Sequence, residues 1–371
     1  MTKPLEVCLV ALIAGGASGV PRYAAALSRA LDDVADEFDE LELTLLTTPA
    51  GAEAIGARSL RLRRASLAKA APSSGPGRIL LEHVLAATAR ADLLHFFDVN
   101  GPLLAPWHAF TTTIHDASVV RGLRPRKHDY KRLVWPWAIR RARTVVAVSE
   151  FARDEAIRLL DGDPSRIVVA RSGPGLIAAD EGPGRAAGNA DGGAPYLLYV
   201  GNITAAKNLR FLVRAFDQAK VASRLVLAGP RVDGFEELRE EIDRSAVRDR
   251  IVLHDQVSDA ELDRLYRGAV ALVLPSRYEG FGFTPLEAMA RGCPVLASDI
   301  PAIREISGEG ALLVPLDEPA WVRAIQRMTA DSELRDDLRR RGTELVSRYS
   351  WAATARAVCG VFQAADPRRT R

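Results

Sequence analysis

Between residues 269 and 292 an apolar run passes through a turn with two glycines straight into a helical pattern, with no spacer. Ala269-Val270-Ala271-Leu272-Val273-Leu274 is apolar at every position, so a strand built from it needs cover on both faces, which a parallel sheet flanked by helices supplies. Behind the turn, Ala288-Met289-Ala290-Arg291-Gly292 carries a helix to a glycine stop. Gly280 and Gly282 let the backbone come close to a ligand, and the free amides at the helix start favour an anion. Strand, glycine turn and helix together make a phosphate-binding arrangement. The same turn sets two carboxylates, Glu279 and Glu287, eight residues apart.

That unit is one of many. Strand-like runs at 5–13, 41–47, 92–97, 111–114, 144–148 and 166–170 alternate with helical patterns. Between the first two runs, Val20, Tyr23, Leu27, Leu31, Val34 and Phe38 recur at three- and four-residue spacing and mark one apolar helix face. A stretch rich in Gly, Ala, Asp and Pro then interrupts the pattern and reads as a linker, 178–194. Strand-like runs resume at 196–200, 225–228, 251–254, 269–274, 295–297 and 311–314. The expected fold is α/β: two doubly wound Rossmann-like domains facing a cleft, 1–177 and 195–350, with the loops after the carboxyl strand ends lining that cleft. The segment 351–371 holds a last helical pattern whose partner domain the spacing leaves open, the first domain being one candidate.

Size and composition narrow the class. A chain of 371 residues, 48% hydrophobic and 26% charged, has room for two domains with their own cores. The apolar stretch 7–17 is too short to span a bilayer, lacks a basic leader and is read as the first strand. Cys8, Cys293 and Cys359 lie far apart, with no spacing that suggests zinc or a disulfide framework, which fits a cytoplasmic chain. A net charge of +3 does not by itself imply nucleic acid. Residues 121–143 nevertheless hold nine Lys or Arg against one acid, Asp129, interleaved with Tyr130, Trp135 and Trp137. Two readings stand: peripheral contact with an anionic membrane face, or a solvated basic surface broken by Pro136.

The chemistry-bearing positions each have a plainer alternative. Lys207 follows a strand and precedes a helix that Asn208 is placed to cap. A cation at that positive dipole end costs about 0.3 to 1 kcal/mol, which an anion sharing the spot would offset. Thr284-Pro285-Leu286-Glu287 has the form of a capping box, so spacing alone assigns Glu287 to the helix start. Glu279 caps nothing identifiable and is the better functional candidate. His115 stands at a carboxyl strand end, where a structural and a catalytic role are both open. Gly15, Gly16 and Gly19 form a loop into the first helix that misses the dinucleotide fingerprint. Asp161-Gly162-Asp163 is read as a turn despite its metal-motif form.

The stretch from Pro275-Ser276 through Glu279-Gly280-Phe281-Gly282 to Glu287-Ala288-Met289-Ala290 and Gly292-Cys293-Pro294-Val295 resembles the two-glutamate signature of the retaining glycosyltransferases of family 4, which have the GT-B fold. Thr113-Ile114-His115-Asp116, Val148-Ser149-Glu150-Phe151, the 201–208 loop and Ser298-Asp299-Ile300-Pro301 with Glu305 extend the likeness in the family's order over most of the chain. The resemblance implies a nucleotide-diphosphate sugar donor (GDP-, UDP- or dTDP-linked) and a saccharide, glycolipid or natural-product acceptor, with no metal or other cofactor required. It implies that Glu287 binds ribose hydroxyls, Glu279 touches the transferred sugar, and Lys207 neutralises the leaving diphosphate. Asn202, Gly280, Phe281, Gly282, Phe283 and Thr284 fall to donor binding, His115 to the sugar and acceptor, and Gly15, Gly16 and Gly19 to an acceptor or sugar loop. One departure stands out: many relatives carry an arginine where this chain has Asn202. A sugar-nucleotide epimerase or phosphorylase on the same scaffold, or a non-catalytic sugar-nucleotide-binding protein, are the alternatives.

Overall fold

The structure, a computed structural model, describes residues 3–14, 19–56, 60–64, 76–122, 130–175, 194–231, 234–255 and 257–370. Gly15, Gly16 and all of the linker 178–194 except Ala194 lie outside the described residues. The chain divides into two compact units, residues 1–176 with 349–371, and residues 177–348.

The first unit is built on seven parallel strands: β1 (Leu5–Val10), β2 (Leu41–Thr47), β3 (Arg61–Arg64), β4 (Leu93–Phe96), β5 (Phe110–Ile114), β6 (Thr144–Ala147) and β7 (Ile167–Val169). Their order across the sheet is β3-β2-β1-β4-β5-β6-β7. The central strands β4, β5 and β6 are buried at every residue, so their sequences show no alternation of apolar and charged positions. The second unit carries six parallel strands: β8 (Tyr196–Val200), β9 (Arg224–Ala228), β10 (Ile251–His254), β11 (Ala271–Leu274), β12 (Val295–Ser298) and β13 (Ala311–Val314). Their order is β10-β9-β8-β11-β12-β13. The expected α/β architecture of two doubly wound sheets is therefore present.

Three local features differ from the sequence reading. Strand β3 was not expected, because Arg61-Leu62-Arg63-Arg64 has no apolar run; it lies at the edge of its sheet, where one side needs no partner strand. The first helix, Gly19–Asp33, ends before Val34 and Phe38, and a short 3₁₀ turn over Ala35–Glu37 takes over. Pro136 breaks nothing: the helix Lys131–Arg141 runs through it.

The helix Trp351–Ala364 belongs to the first unit. Ser350 caps it, Thr354 Oγ1 donates to the Arg171 carbonyl at 2.6 Å, and Arg356 pairs with Glu37 at 2.6 Å. Its buried Phe362 meets the edge of His95, with ring centroids 5.2 Å apart. His95 lies on β4 with Nδ1 2.9 Å from Thr111 Oγ1, and burial pushes its pKa down to about 3. The unfolded chain binds this proton from about pH 6.5 downward while the native chain does not, so stability is lost as pH falls through that range. Urea unfolding of the first unit should lose up to about 1.4 kcal/mol per pH unit from this residue between pH ~6 and pH ~4. His95→Asn should flatten that slope, and equal slopes in the two proteins would contradict the assignment.

Candidate active site

In the second sheet the winding reverses between neighbouring strands β8 and β11, and the loops leaving their carboxyl ends diverge to form a crevice. Lys207 rides on the loop after β8 and Glu279 on the loop after β11. The loops are tied together: the Arg277 amide donates to the Ala206 carbonyl at 2.9 Å. Across this tie Lys207 Nζ donates to Glu279 Oε2 at 2.5 Å, and Ser276 Oγ donates to Glu279 Oε1 at 2.6 Å. The two side chains remain 23% and 12% exposed, so the pair is sheltered but reachable.

The 201–208 loop owes its path to glycine. Gly201 has φ 146°, and a Cβ on Gly229, at φ 147°, would stand 2.1 Å from the Gly201 carbonyl oxygen. The loops after β8 and β9 thus touch backbone to backbone. Tyr199 Oη donates to the Asn202 carbonyl at 3.0 Å, and burial together with the Glu279 charge keeps that phenol far from ionising. The cation that Lys207 brings to the start of helix Leu209–Ala219 is met by Glu279. Asn208 does hold the capping position, but by a left-handed backbone with φ 58°; its side chain makes no capping bond.

The capping-box reading of Glu287 is corrected here. Gly282, at φ 91°, turns the chain so that helical geometry begins at Phe283, before Thr284, and no side chain caps the helix Phe283–Ala290. Glu287 is instead buried within the helix and accepts from Tyr266 Oη at 2.9 Å. Below it Arg291, 1% exposed, donates to Asp263 at 2.7 Å and to the Glu287 carbonyl at 3.0 Å, with its guanidinium over the Tyr266 ring. Burial raises the Asp263 carboxyl, but Arg267 and Arg291 more than reverse this and hold it below its ordinary value. Phe281 and Phe283 pack together, ring centroids 4.9 Å apart, with Phe281 buried; Gly280 and Thr284 are half-buried on either side.

His115 follows β5 in the first unit. Its Nε2 lies 2.8 Å from the Phe97 carbonyl, which can only accept, so the proton sits on Nε2. Burial pushes its pKa down, and Asp98 only partly offsets this, leaving the ring neutral. Asp98, after β4, pairs with Lys131 at 2.9 Å. Burial acts to raise the Asp98 carboxyl, but the Lys131 charge and the hydrogen bonds from Lys131 and the Val99 amide hold it below its usual range. Gly19 opens the first helix in this unit.

Sequence reasoning missed Tyr266, Arg291, Asp263, Asp98 and Arg277. Tyr266 and Asp263 share a helix, Asp259–Gly268, whose spacing gives no hint of a partner beyond it. Arg277 had a signal, its place two residues before Glu279; its side chain is exposed and makes no ion pair among the described residues. Among the described residues no group of three His, Cys, Asp or Glu could hold a metal ion, and no helix is long and apolar enough to cross a membrane.

A parallel two-sheet protein with charged loops gathered at a switch point is the class these features define. Residues 17–173 match the family model described as Glycosyltransferase Family 4, and residues 183–345 match that described as Glycosyl transferases group 1. The two matches take in most of the chain, and the chain belongs to the family 4 glycosyltransferases. It is 33% identical over 247 residues to a D-inositol 3-phosphate glycosyltransferase of Kineococcus radiotolerans, a match covering 60% of this chain and 57% of that one. It is 29% identical over 256 residues to the O-antigen chain mannosyltransferase B of Escherichia coli, covering 65% and 66%. The chain thus spans less than two thirds of either relative's length. Its fold is shared with a sucrose-phosphate synthase of Thermosynechococcus elongatus, TM-score 0.73 over 97% of this chain and 98% of that one, at 23% identity. Anabaena HepE, solved in complex with UDP and glucose, superposes with TM-score 0.70 over 97% and 100%, at 16% identity.

Removing the phenol that holds Glu287 should leave a buried carboxylate one partner short. Tyr266→Phe is expected to cost about 1 to 3 kcal/mol of stability in urea unfolding. In a double-mutant cycle with Glu287→Gln the two changes should couple by about 1 kcal/mol or more, and additive effects would remove the bond from the account.

Proposed function

We propose that this chain is a retaining glycosyltransferase, which moves a hexosyl group from a nucleotide-diphosphate sugar to a hydroxyl of a saccharide, glycolipid or natural-product acceptor. The observation that carries the reading is the Lys207–Glu279 pair at 2.5 Å on the two loops that flank the switch point of the second sheet. Cleavage of the bond from anomeric carbon to phosphate builds positive charge on the sugar and negative charge on the diphosphate, so fixed donors at the oxygen end lower the barrier. An ammonium has three donors: one N–H of Lys207 holds Glu279 while the others face phosphate oxygens. The amides of Gly282, Phe283 and Thr284 supply further donors there. The charge needed is then protein-borne, and the reading asks for no metal.

Glu279, held by Lys207 and Ser276, keeps lone pairs for sugar hydroxyls, and Glu287 accepts from the ribose. His115 has its Nε2–H committed to Phe97, so it offers Nδ1 as an acceptor that holds the sugar or the incoming hydroxyl. That hydroxyl arrives on the leaving-group face and gives its proton to the departing phosphate, so the anomeric configuration is kept. Where relatives carry an arginine this chain has Asn202, and Arg277, on the neighbouring loop and tied to Ala206, takes over as the second cation.

The test incubates the chain with UDP-, GDP- and dTDP-hexoses, UDP-glucose and GDP-mannose included, against acceptors that include D-inositol 3-phosphate and lipid-linked saccharides. The expected product is a glycoside with the donor's anomeric configuration, read by NMR. A rearranged sugar nucleotide formed without acceptor would instead make it an epimerase, and binding without turnover a non-catalytic protein. Lys207→Ala should lower turnover at saturating donor by about 10² to 10³; unchanged turnover removes Lys207 from the mechanism. Arg277→Ala should raise the donor KM about tenfold, the loss of one charge-assisted bond, with a smaller effect on kcat. An unchanged KM would assign the exposed guanidinium to solvent.

A further inference from the structure

We propose that Tyr266 is a positioning residue that makes the second unit select ribonucleotide over 2′-deoxyribonucleotide donors, by fixing one oxygen of Glu287. Resting on the ribose role proposed above for Glu287, this narrows the donor class: UDP- and GDP-sugars are favoured over dTDP-sugars, whose nucleoside lacks the 2′-hydroxyl.

The backbone of Glu287 has little freedom of its own. On its helix, Phe283–Ala290, the neighbours Leu286 and Ala288 are fully buried. Met289, 2% exposed, packs so closely on Gly342 that a Cβ there would stand 2.9 Å from its Cγ. Arg291 Nη1 donates to the Glu287 carbonyl at 3.0 Å, and Asp263 holds the same guanidinium at 2.7 Å. What the helix leaves open is the side chain, with three rotatable bonds.

Tyr266 closes that freedom, since its Oη donates to Glu287 Oε2 at 2.9 Å. The phenol is itself held. Its residue is fully buried, and the Arg291 guanidinium lies 5.6 Å from the ring centroid. Asp263, three residues earlier on the helix Asp259–Gly268, shares a face with Tyr266, so one helix anchors both the phenol and the arginine. Burial, and then the Glu287 charge, keep the phenol from ionising, and it stays a donor.

A clamped carboxylate reads a diol differently from a loose one. A loose side chain would turn away from a missing hydroxyl and take another donor, so it would discriminate little. Held at Oε2, Glu287 cannot follow, and a 2′-deoxyribose leaves a buried acceptor short of a partner in the complex. If Tyr266 only satisfied a core carboxylate, its loss would affect both kinds of nucleotide alike.

The test is calorimetric titration of the full chain with UDP, GDP and ADP and with their 2′-deoxy counterparts, which needs no acceptor and no choice of transferred sugar. The ribonucleotide that binds best should exceed its deoxy form by about ten- to hundredfold in affinity, the worth of one charge-assisted hydrogen bond. In Tyr266→Phe the ratio should fall to about threefold or less, with the loss confined to the ribonucleotide. Asp263→Asn, which loosens Arg291 and keeps the phenol, should narrow the ratio by a smaller factor; circular dichroism checks both folds. A wild-type ratio near one overturns the role of Tyr266 and leaves the donor reading standing. So does a ratio unchanged in Tyr266→Phe, even with both affinities lowered, or, where that variant does not fold, a ratio unchanged in Asp263→Asn. Binding of none of the three ribonucleotides overturns both.

Discussion

The reversal of winding between β8 and β11 is the constraint from which the chemistry of the second unit follows. A parallel sheet wound in one direction would carry its loops to the same side. Starting in the middle and winding outward both ways leaves two adjacent strand ends whose loops part, and backbone amides and side chains from both can reach a ligand between them. Lys207 and Glu279 are 72 residues apart in sequence, yet their strands are hydrogen-bonded neighbours, so their meeting at 2.5 Å is fixed by topology. The bond from the Arg277 amide to Ala206 and the bond from Ser298 Oγ to the Ser276 carbonyl brace the loop that carries Glu279 from both sides. A rigid pair of this kind costs little to organise when charge develops beside it.

Behind this pair the second carboxylate is supported differently. Glu287 is buried on a helix whose start is set by Gly282, where a Cβ would stand 2.7 Å from Ile306 Cδ1. A buried carboxylate is tolerated only with partners, and the phenol of Tyr266 provides one. Arg291 is the unusual member: an arginine 1% exposed, balanced by Asp263 and by the ring of Tyr266. This network joins the helix Asp259–Gly268 to the helix Phe283–Ala290 and so fixes the distance of Glu287 from the strand ends.

Legibility in the sequence followed periodicity. Strands covered on both faces, such as β8 and β11, announce themselves as unbroken apolar runs, whereas β3 hides because an edge strand can be spelled Arg-Leu-Arg-Arg. Glu279 stood out because it lay in a glycine turn with no structural task. Thr284, Pro285 and Glu287 fit the spacing of a cap, and only the backbone angle of Gly282 shows that the helix begins earlier. Tyr266 and Asp263 could not be found from spacing at all, since their partners come from another helix and pairing across helices leaves no local period.

The two sheets repeat one topology with opposite electrostatics. At the carboxyl ends of β4 and β5 the first unit gathers a neutral histidine, its Nε2–H spent on Phe97, beside an Asp98–Lys131 pair that cancels internally. At the ends of β8 and β11, the equivalents of β1 and β4, the second unit presents an ammonium, a carboxylate and an exposed guanidinium. A neutral end suits polyhydroxylated groups, which ask for hydrogen-bond donors and acceptors without a net field. A charged end suits a diphosphate. One topology can therefore present either kind of end, and the side chains on the loops decide which.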